Sequence, residues 1–530
     1  MEDSGSSPTR RVSPGSPGLA GRSDLRLLIV ALAVVMGAAL NAFTTMTADT
    51  DLWGHLRFGE AHWESHQLER SDPYSFTSGE DWINHEWLSE LVFFACYKAG
   101  GDRGLLVLKF LLGFATIAIL VANSLRRDAS PLVIAVVLPL AVFALTPGFM
   151  FRPQIFSFVL FAVTLALVRV DLPVGRRAVL ALPVVMALWV NLHGGFVIGC
   201  AVVAVVVVAE SVVSGARRLP TGDLRWLWAG ATGAAFATLL NPYGIELLRF
   251  LFRSLSMPRP IGEWGPLPLF DSSYPEIKVM LVLATGIAIW LGWRRELRVA
   301  EGAVLLLTIF ATIKHQRHAP FFLIASVPLV ADGLSRLTAG VSARLERSAG
   351  SVVPRRTAIL GLLLIAVLEV VVAADAISAT GARISVDPDL YPVQASDFLR
   401  KNGARGRLLL PFEWGEYAIW HLFPRCQVSI DGRFRTVYPE RVLIDHYLAA
   451  VEPSRWVLLM ARYQPDLAMI PRSPVIDDMA RRGIPGWTVV YVDPLAVVFV
   501  RAGGASSAII DTARERSLVP PDHPPRVVFP

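Results

Sequence analysis

The chain has 530 residues, 53% hydrophobic and 18% charged, with a formal net charge of +6 and a mean hydropathy of +0.49. Soluble domains carry nearer a quarter charged residues, so the composition excludes an ordinary soluble enzyme and points to a chain built for lipid. The basic residues, mostly arginine, fall in short clusters between apolar runs. That is how membrane-protein loops look, and no nucleic-acid partner is expected.

In chain order, residues 1–24 are rich in Ser, Pro, Gly and Arg and are expected to form a disordered cytoplasmic N-terminus. An apolar run begins at Leu25. The small residues from Gly37 to Ala42 resemble a signal-peptidase site, but a long polar leader and many later spans favour an uncleaved first helix. A spanning helix needs about 20 apolar residues. On that criterion spans are expected near 25–45, 104–125, 131–149, 154–170, 178–192, 196–214, 224–241, 276–293, 299–313, 319–337 and 357–379. The fold class is therefore an all-α polytopic membrane bundle of about eleven spans over 25–379. Its first outer loop covers 46–87, with a partly helical cap from Trp53 to His66 and a short interfacial helix from Trp87 to Ala99.

Positive charge collects on the cytoplasmic side of membrane proteins. With the N-terminus inside (Arg10, Arg11, Arg22, Arg26), the inner connections are Arg126-Arg127, Arg176-Arg177, Arg217-Arg218, Arg294-Arg295 with Arg298, and Arg344 to Arg356. One outer loop, Lys314-His315-Gln316-Arg317-His318, breaks the rule. Charge that defies topology marks a candidate site, with Arg317 and His318 as phosphate ligands. A misassigned span is the plain alternative.

The crossings put residues 380–530 outside, as an extracytoplasmic α/β domain. Strands are predicted over Arg407 to Phe412, Gln427 to Ile430, Leu467 to Ile470, Trp487 to Val492 and Ala496 to Val500, with helices near Pro392 to Lys401 and Tyr438 to Val451. The tail from Pro520 is expected to be irregular. Asp431-Gly432-Arg433 predicts a β-turn. The run Glu413-Trp414-Gly415-Glu416-Tyr417 fits either a sugar-facing aromatic surface or packing onto the membrane domain. The three cysteines have no pairing or metal spacing, Cys426 being expected as a lone buried thiol. No glycine-rich phosphate loop is present, which argues against direct use of a nucleotide sugar.

The first outer loop carries the densest set of Asp, Glu, His and Trp. It begins with Asp49 and Asp51 where the first helix leaves the hydrocarbon. A carboxylate there is partly desolvated, which raises its pKa towards the range of a general base. A solvated loop anchored by Trp53, Trp63, Trp82 and Trp87 is the alternative. Other candidates lie at outer boundaries. Arg152 is either a phosphate ligand or a snorkelling side chain. His193, before Gly194-Gly195, is either a turn cap or a site residue. Asn241-Pro242-Tyr243-Gly244 reads as a helix terminator, and Glu263-Trp264 as a pair able to face an acceptor.

Asp49-x-Asp51 directly after a first transmembrane helix, followed by a long outer loop, resembles the GT-C superfamily of membrane glycosyltransferases. Asp51-Leu52-Trp53-x-His55-Leu56-Arg57-x-Gly59-Glu60, Asp72-Pro73-x-Ser75 and Trp82-x-x-His85-Glu86-Trp87-Leu88 resemble a group of its bacterial members. Further likenesses are Arg152-Pro153-Gln154, Trp189-x-Asn191-Leu192-His193-Gly194-Gly195, Asn241-Pro242-Tyr243-Gly244, Glu263-Trp264, Arg317, Trp414-Gly415-x-Tyr417 and Asp431-Gly432-Arg433.

The resemblance implies inverting transfer of a sugar from a polyprenyl-phosphate donor to a glycan, lipid or protein acceptor at the outer leaflet of a bacterial inner membrane. Asp51 is the first choice of base and Asp49 the second. Arg57, Arg152, Arg317 and His318 are candidates for the donor phosphate, with His55, His85, Glu86, His193 and Glu263 as further site residues. Mg²⁺ or Mn²⁺ held by Asp49 and Asp51 is an optional cofactor. Two other classes stay open: a transporter or flippase of lipid-linked precursors, and a non-catalytic scaffold for envelope assembly. The first would show paired broken-helix repeats, and the second would need no polar first loop.

Overall fold

The computed structural model describes residues 19–79, 81–168, 179–217, 224–255, 262–349, 355–514 and 527–530. The leader up to residue 18, Arg176-Arg177, Arg218 and the tail over 520–526 lie outside the described residues.

Every predicted span coincides with a helix: α1 (Leu19–Phe43), α3 (Trp87–Leu125), α4 (Pro131–Leu145), α5 (Gln154–Leu167), α6 (Leu182–Leu192), α7 (Phe196–Arg217), α8 (Leu224–Ala237), α10 (Pro275–Trp293), α11 (Val299–Lys314), α12 (Ala319–Ala349) and α13 (Arg355–Thr380). Two helices lie between spans, α2 (Leu52–Ser65) in the first loop and α9 (Ile245–Leu255). Among the described residues, seven helices are long and apolar enough to cross a membrane. The rest are shorter, from 11 residues in α6 to 16 in α11. The first helix starts at Leu19, earlier than the expected Leu25, so the leader is helical over its last residues. The expected interfacial helix and the following span form one run, α3, broken at Gly101 (φ 62°, ψ −148°). Just past the break, Asp102 accepts from Arg383 Nε (2.7 Å) and Ile384 N (3.0 Å), tying the top of α3 to the end of α13.

The charged side chains separate into two ends. At one, Arg127 pairs with Glu301, Arg298 with Glu210 and Arg336 with Glu296. These belong to the connections predicted to be inner. At the other end Arg152, Glu263 and Arg317 meet the first loop. Arg317 therefore lies with the predicted outer residues, and the misassigned-span alternative fails.

Past α13 the chain folds into an α/β domain on the end that carries Arg152. Its five-stranded sheet has the order β3-β2-β4-β6-β5, formed by β2 (Gly406–Leu409), β3 (Cys426–Val428), β4 (Leu467–Pro471), β5 (Trp487–Val492) and β6 (Ala496–Arg501). The first three strands in that order are parallel, and β6 runs antiparallel to both neighbours. Each predicted strand is present. Helices α14 (Val393–Lys401) and α16 (Glu440–Val451) match expectation, whereas α15 (Gly415–Leu422), α17 (Trp456–Tyr463), α18 (Pro474–Arg482) and α19 (Ala508–Arg514) are additional. A separate antiparallel pair joins β1 (Ser385–Val386) to β7 (Val527–Val528).

The first loop is built into this domain. Val428 N donates to Tyr74 O (2.9 Å) and Phe76 N to Val428 O (3.1 Å), so the loop extends the sheet beyond β3. Phe58, Tyr74 and Trp82 share one apolar core with Leu408, Trp414 and Ile430. The turn at Asp431-Gly432-Arg433 is present but buried. The Arg433 guanidinium reaches Asp431 (2.6 Å) and Asp72 (2.8 Å), and is flanked by Trp82 (4.7 Å) and Phe58 (4.8 Å). Burial opposes its charge, but Asp431 and Asp72 hold its pKa well above the usual value. Trp414 and Tyr417 are each 4% exposed, so the packing account of that run holds and the sugar-facing surface does not. Cys426 is buried and free.

Glu416 of α15 packs against Gly54 of α2, whose N–H donates to Oε2 (3.1 Å). A Cβ at Gly54 would collide with that carboxylate, so any larger residue there pushes the Glu416 side chain out of this position. Burial above all, then the charges of Asp51 and Asp431, raise Glu416 well above the ordinary value of 4.5.

Two stability outcomes are expected. Arg433→Met strands two carboxylates, and breaking a buried pair costs about 3–5 kcal/mol; the thermal unfolding of the purified protein should drop accordingly, and an unchanged midpoint would mean that the clamp contributes nothing. Glu416 binds its proton more tightly folded than unfolded, so stability falls as pH rises from 4.5 towards its raised folded pKa. Glu416→Gln keeps an acceptor for Gly54 and has no proton to lose. It should melt above the wild type at pH 7, with the gap closing near pH 4.5; a gap independent of pH would mean that Glu416 is ionised in the fold.

Candidate active site

The backbone leaving α1 is pinned before it reaches the first aspartate. Ser385 N donates to Met46 O (2.7 Å) and Ala48 N to Ser385 O (2.8 Å), while Tyr391 Oη donates to Ala48 O (3.2 Å). Asp49 thus emerges from fixed chain. Asp51 occupies the N-cap of α2, where an aspartate usually accepts from the N–H three residues on. It makes no such bond. That N–H, of Gly54, is taken by Glu416. The Asp51 carboxylate is therefore released from capping and turns to Arg152.

Arg152 sits between α4 and α5, in a bend that Pro153 helps to end. Its Nε lies 2.7 Å from Asp49 Oδ1 and 3.2 Å from Asp51 Oδ2, and its Nη1 lies 3.2 Å from Glu263 Oε2. Glu263 also reaches Arg317 Nη1 (3.2 Å), so one carboxylate bridges two guanidinium groups. Arg317 rests on the Trp264 ring at 4.2 Å. The Asp49 side chain is 8% exposed and that of Asp51 27%. Burial first, then the charge of Asp51, raise the pKa of Asp49, with Arg152 pulling the other way. Burial opposes the charge on Arg152, but Asp51, Asp49 and Glu263 raise its pKa.

A second polar group adjoins the first. Glu86 Oε1 lies 3.6 Å from both His85 Nε2 and His193 Nε2. Burial works against its charge, but His85, His193, His55 and Arg317 bring its pKa below the ordinary value. His193 Nδ1 accepts from Gly195 N (3.0 Å), so its proton is on Nε2, facing Glu86. Ser157 Oγ lies 2.7 Å from the same Nδ1. Burial lowers the His193 pKa to about 4, which keeps the ring neutral at pH 7. His55 is buried against Glu90 at 3.4 Å. Burial opposes its protonation, yet the bond to Glu90 and the charge of Glu86 leave its pKa raised.

Asp49, Asp51, Arg152, Glu263 and Arg317 are thus brought together, and His55, His85, Glu86 and His193 lie alongside. Two candidates are not in the cluster. Arg57 pairs with Glu60 (2.5 Å) and lies over Phe423 (5.1 Å), on the side of α2 that faces the outer domain. His318 packs beside Trp264 and Phe321. Asn241 closes its turn by accepting from Tyr243 N (2.8 Å), and Tyr243 Oη accepts from Asn84 N (3.1 Å), so the terminator also braces the first loop.

Three participants escaped the sequence reading. Glu416 stood in a run read either as aromatic surface or as packing, with no role for its carboxylate. Ser157 sits within an apolar helix. Lys109, 1% exposed, donates to Thr45 O (2.6 Å) just past the end of α1 and lies 5.1 Å from the Phe151 ring. A single charge within the run 104–125 was a legible signal. As for a divalent cation, Asp49 and Asp51 converge on the Arg152 guanidinium. Among the described residues no three His, Cys, Asp or Glu side chains converge to hold a metal.

No protein-family model matches the chain, and no curated protein sequence does. Solved structures do. The archaeal oligosaccharyltransferase AglB from Archaeoglobus fulgidus, in complex with an inhibitory peptide and a dolichol-phosphate, aligns with TM-score 0.56 and 12% identity over 86% of this chain and 70% of its own. The apo form of the Archaeoglobus fulgidus oligosaccharyltransferase gives 0.53 and 12% over 83% and 69%. ArnT from Cupriavidus metallidurans in the apo state gives 0.55 and 14% over 91% and 98%, a match that runs through the bundle into the outer domain. At these identities the likeness is one of fold. The chain carries several helices able to cross a membrane and shares the fold of these membrane proteins, the oligosaccharyltransferase AglB and ArnT.

Proposed function

We propose that this chain is a membrane glycosyltransferase that moves a sugar from a polyprenyl-phosphate donor to a hydroxyl acceptor, with inversion, at the membrane face that bears Arg152. The observation that carries the reading is the unbroken chain of charge Asp51–Arg152–Glu263–Arg317. It puts an accessible carboxylate beside two guanidinium groups. A base and a phosphate clamp are what such a transfer requires.

In this mechanism the Asp51 carboxylate takes the proton of the acceptor hydroxyl as that oxygen attacks the anomeric carbon. The bond from that carbon to the phosphate oxygen breaks, and its electron pair leaves with the polyprenyl phosphate. Arg317 and Arg152 hold the departing charge through paired N–H donors, the geometry guanidinium offers to phosphate. Asp49, the more buried of the two aspartates, keeps Arg152 in place. Glu263 bridges both arginines and stands where a phosphate would satisfy the same donors, so the donor displaces it. The AglB structure that shares this fold holds a dolichol-phosphate, an isoprenoid phosphate of the class proposed here. In the same scheme His85 and His193 flank Glu86 at the edge of the site, facing the acceptor side.

The direct test compares extractable cell-surface glycans and glycolipids in a strain lacking the chain, complemented by wild type or by Asp51→Asn. A lost general base lowers the rate about 10²–10⁴-fold, so the product should all but vanish while the protein's level in the membrane is unchanged; full complementation would remove Asp51 as base. Donor binding is tested by titrating the purified protein with a short-chain polyprenyl phosphate. Arg317→Ala should weaken binding about 10–100-fold, the worth of one charge-assisted hydrogen bond, and Glu263→Gln should tighten it. Unchanged affinity in both would place the phosphate elsewhere.

A further inference from the structure

The proposed reaction gives no part to the segment Val527–Pro530, yet that segment closes on both pieces of chain that present the aspartates. Ser385 of β1 is shared between two neighbours. It pairs with Thr47, two residues before Asp49, and with Val528 of β7. β1 is thus the middle strand of three. Ser385 N donates to Met46 O (2.7 Å) on one side, and Phe529 N donates to Ile384 O (2.9 Å) on the other. A lone two-stranded pair is marginal in water, so β7 braces the strand from which Asp49 emerges.

The side chain that follows β7 reaches α2. Phe529 is buried, with its ring 5.2 Å from that of Trp53, the second residue of α2, and 6.1 Å from that of Tyr97 in α3. Trp53 is wholly buried, and its other ring neighbours are Tyr391 (4.6 Å) and Tyr417 (4.9 Å). A buried indole N–H usually finds an acceptor. That of Trp53 has none among the described residues, so its placement rests on the rings packed around it. Trp53 stands two residues after Asp51 in the first turn of α2, next to Gly54, whose N–H bond to Glu416 frees the Asp51 carboxylate.

We infer that Phe529 is a positioning residue of the active site: it fixes Trp53, and through Trp53 the start of α2, at the point where Asp51 meets Arg152. The inference rests on the reading of Asp51 as the base. Removing the ring leaves a gap beside an indole that no hydrogen bond holds. The indole moves into it, and the first turn of α2 follows. Asp51 Oδ2 lies 3.2 Å from Arg152 Nε, at the upper end of hydrogen-bond distances, so a small shift of the helix start parts the pair. Arg317, Glu263 and Trp264 come from other parts of the chain and keep their own contacts. Placement of the base and binding of phosphate are therefore separable.

The test compares the full chain with its Phe529→Ala and Phe529→Leu variants. Hydrogen exchange of the purified proteins is read by mass spectrometry on peptides covering Asp51 to Phe58. Alanine should speed exchange there about tenfold while β4 and β6 of the outer sheet stay as in wild type. Leucine refills most of the gap and should bring exchange back to within about twofold. Affinity for a short-chain polyprenyl phosphate should stay within about twofold in both variants. The cell-surface product per molecule of protein in the membrane should fall about 10²-fold with alanine, the loss a misplaced reacting group brings. If Phe529→Ala does not fold, Phe529→Val takes its place. Unaltered exchange over α2, a rise shared equally by the outer sheet, or an undiminished product would each overturn the role of Phe529. Failure of the transferase reading shows itself differently, as a wild type that restores no product, and the exchange result is independent of it.

Discussion

Everything at the site hangs on a single guanidinium with three carboxylates around it. Arg152 touches Asp49, Asp51 and Glu263, and these come from three separate parts of the chain: the exit of α1, the cap of α2 and the turn before α10. Without that cation the two aspartates would repel one another in a poorly solvated spot, and one would take up a proton. With it, both are held as a pair whose members differ in burial. The difference sets them apart, the buried one closed against the arginine and the other more open to solvent. The opposite charge of Arg317 extends the same arrangement towards Trp264.

The outer domain takes part in building this arrangement. Its sheet is bridged by the first loop at Ser75, its core takes in Phe58, Tyr74 and Trp82, and Arg433 ties the two together through Asp72. The first loop thereby acquires a rigid floor that the lipid-facing helices do not supply. The remaining polar contacts, Tyr391 to Ala48 and Ser385 to Met46, fix the height at which Asp49 leaves the bundle.

Much of this was legible in the residues, for reasons that differ from element to element. Apolar runs long enough to span a bilayer signal themselves, and all the helices expected on that ground are present. The five strands of the outer sheet were marked by short β-branched and aromatic runs. Misplaced charge identified Arg317, and the dense polar loop identified Asp49 and Asp51. Other features were out of reach because they depend on partners distant in the chain. Arg57 carries the same side chain as Arg152 and stands six residues from Asp51, yet helical geometry turns it to Glu60 and Phe423. Asp431-Gly432-Arg433 has the composition of an exposed turn, and only the packing of Phe58 and Trp82 around Arg433 makes it buried. Glu416 had no local signal at all, since its role is set by a glycine in another domain.

That last contact joins parts of the chain that are made far apart in time. Glu416 lies 362 positions downstream of the glycine it caps, so a growing chain inserts its entire bundle while the helix that starts at Leu52 still lacks its outside acceptor. Completion of the α2 cap therefore waits for the α/β domain, which follows every helix of the bundle in the chain, to fold against the first loop.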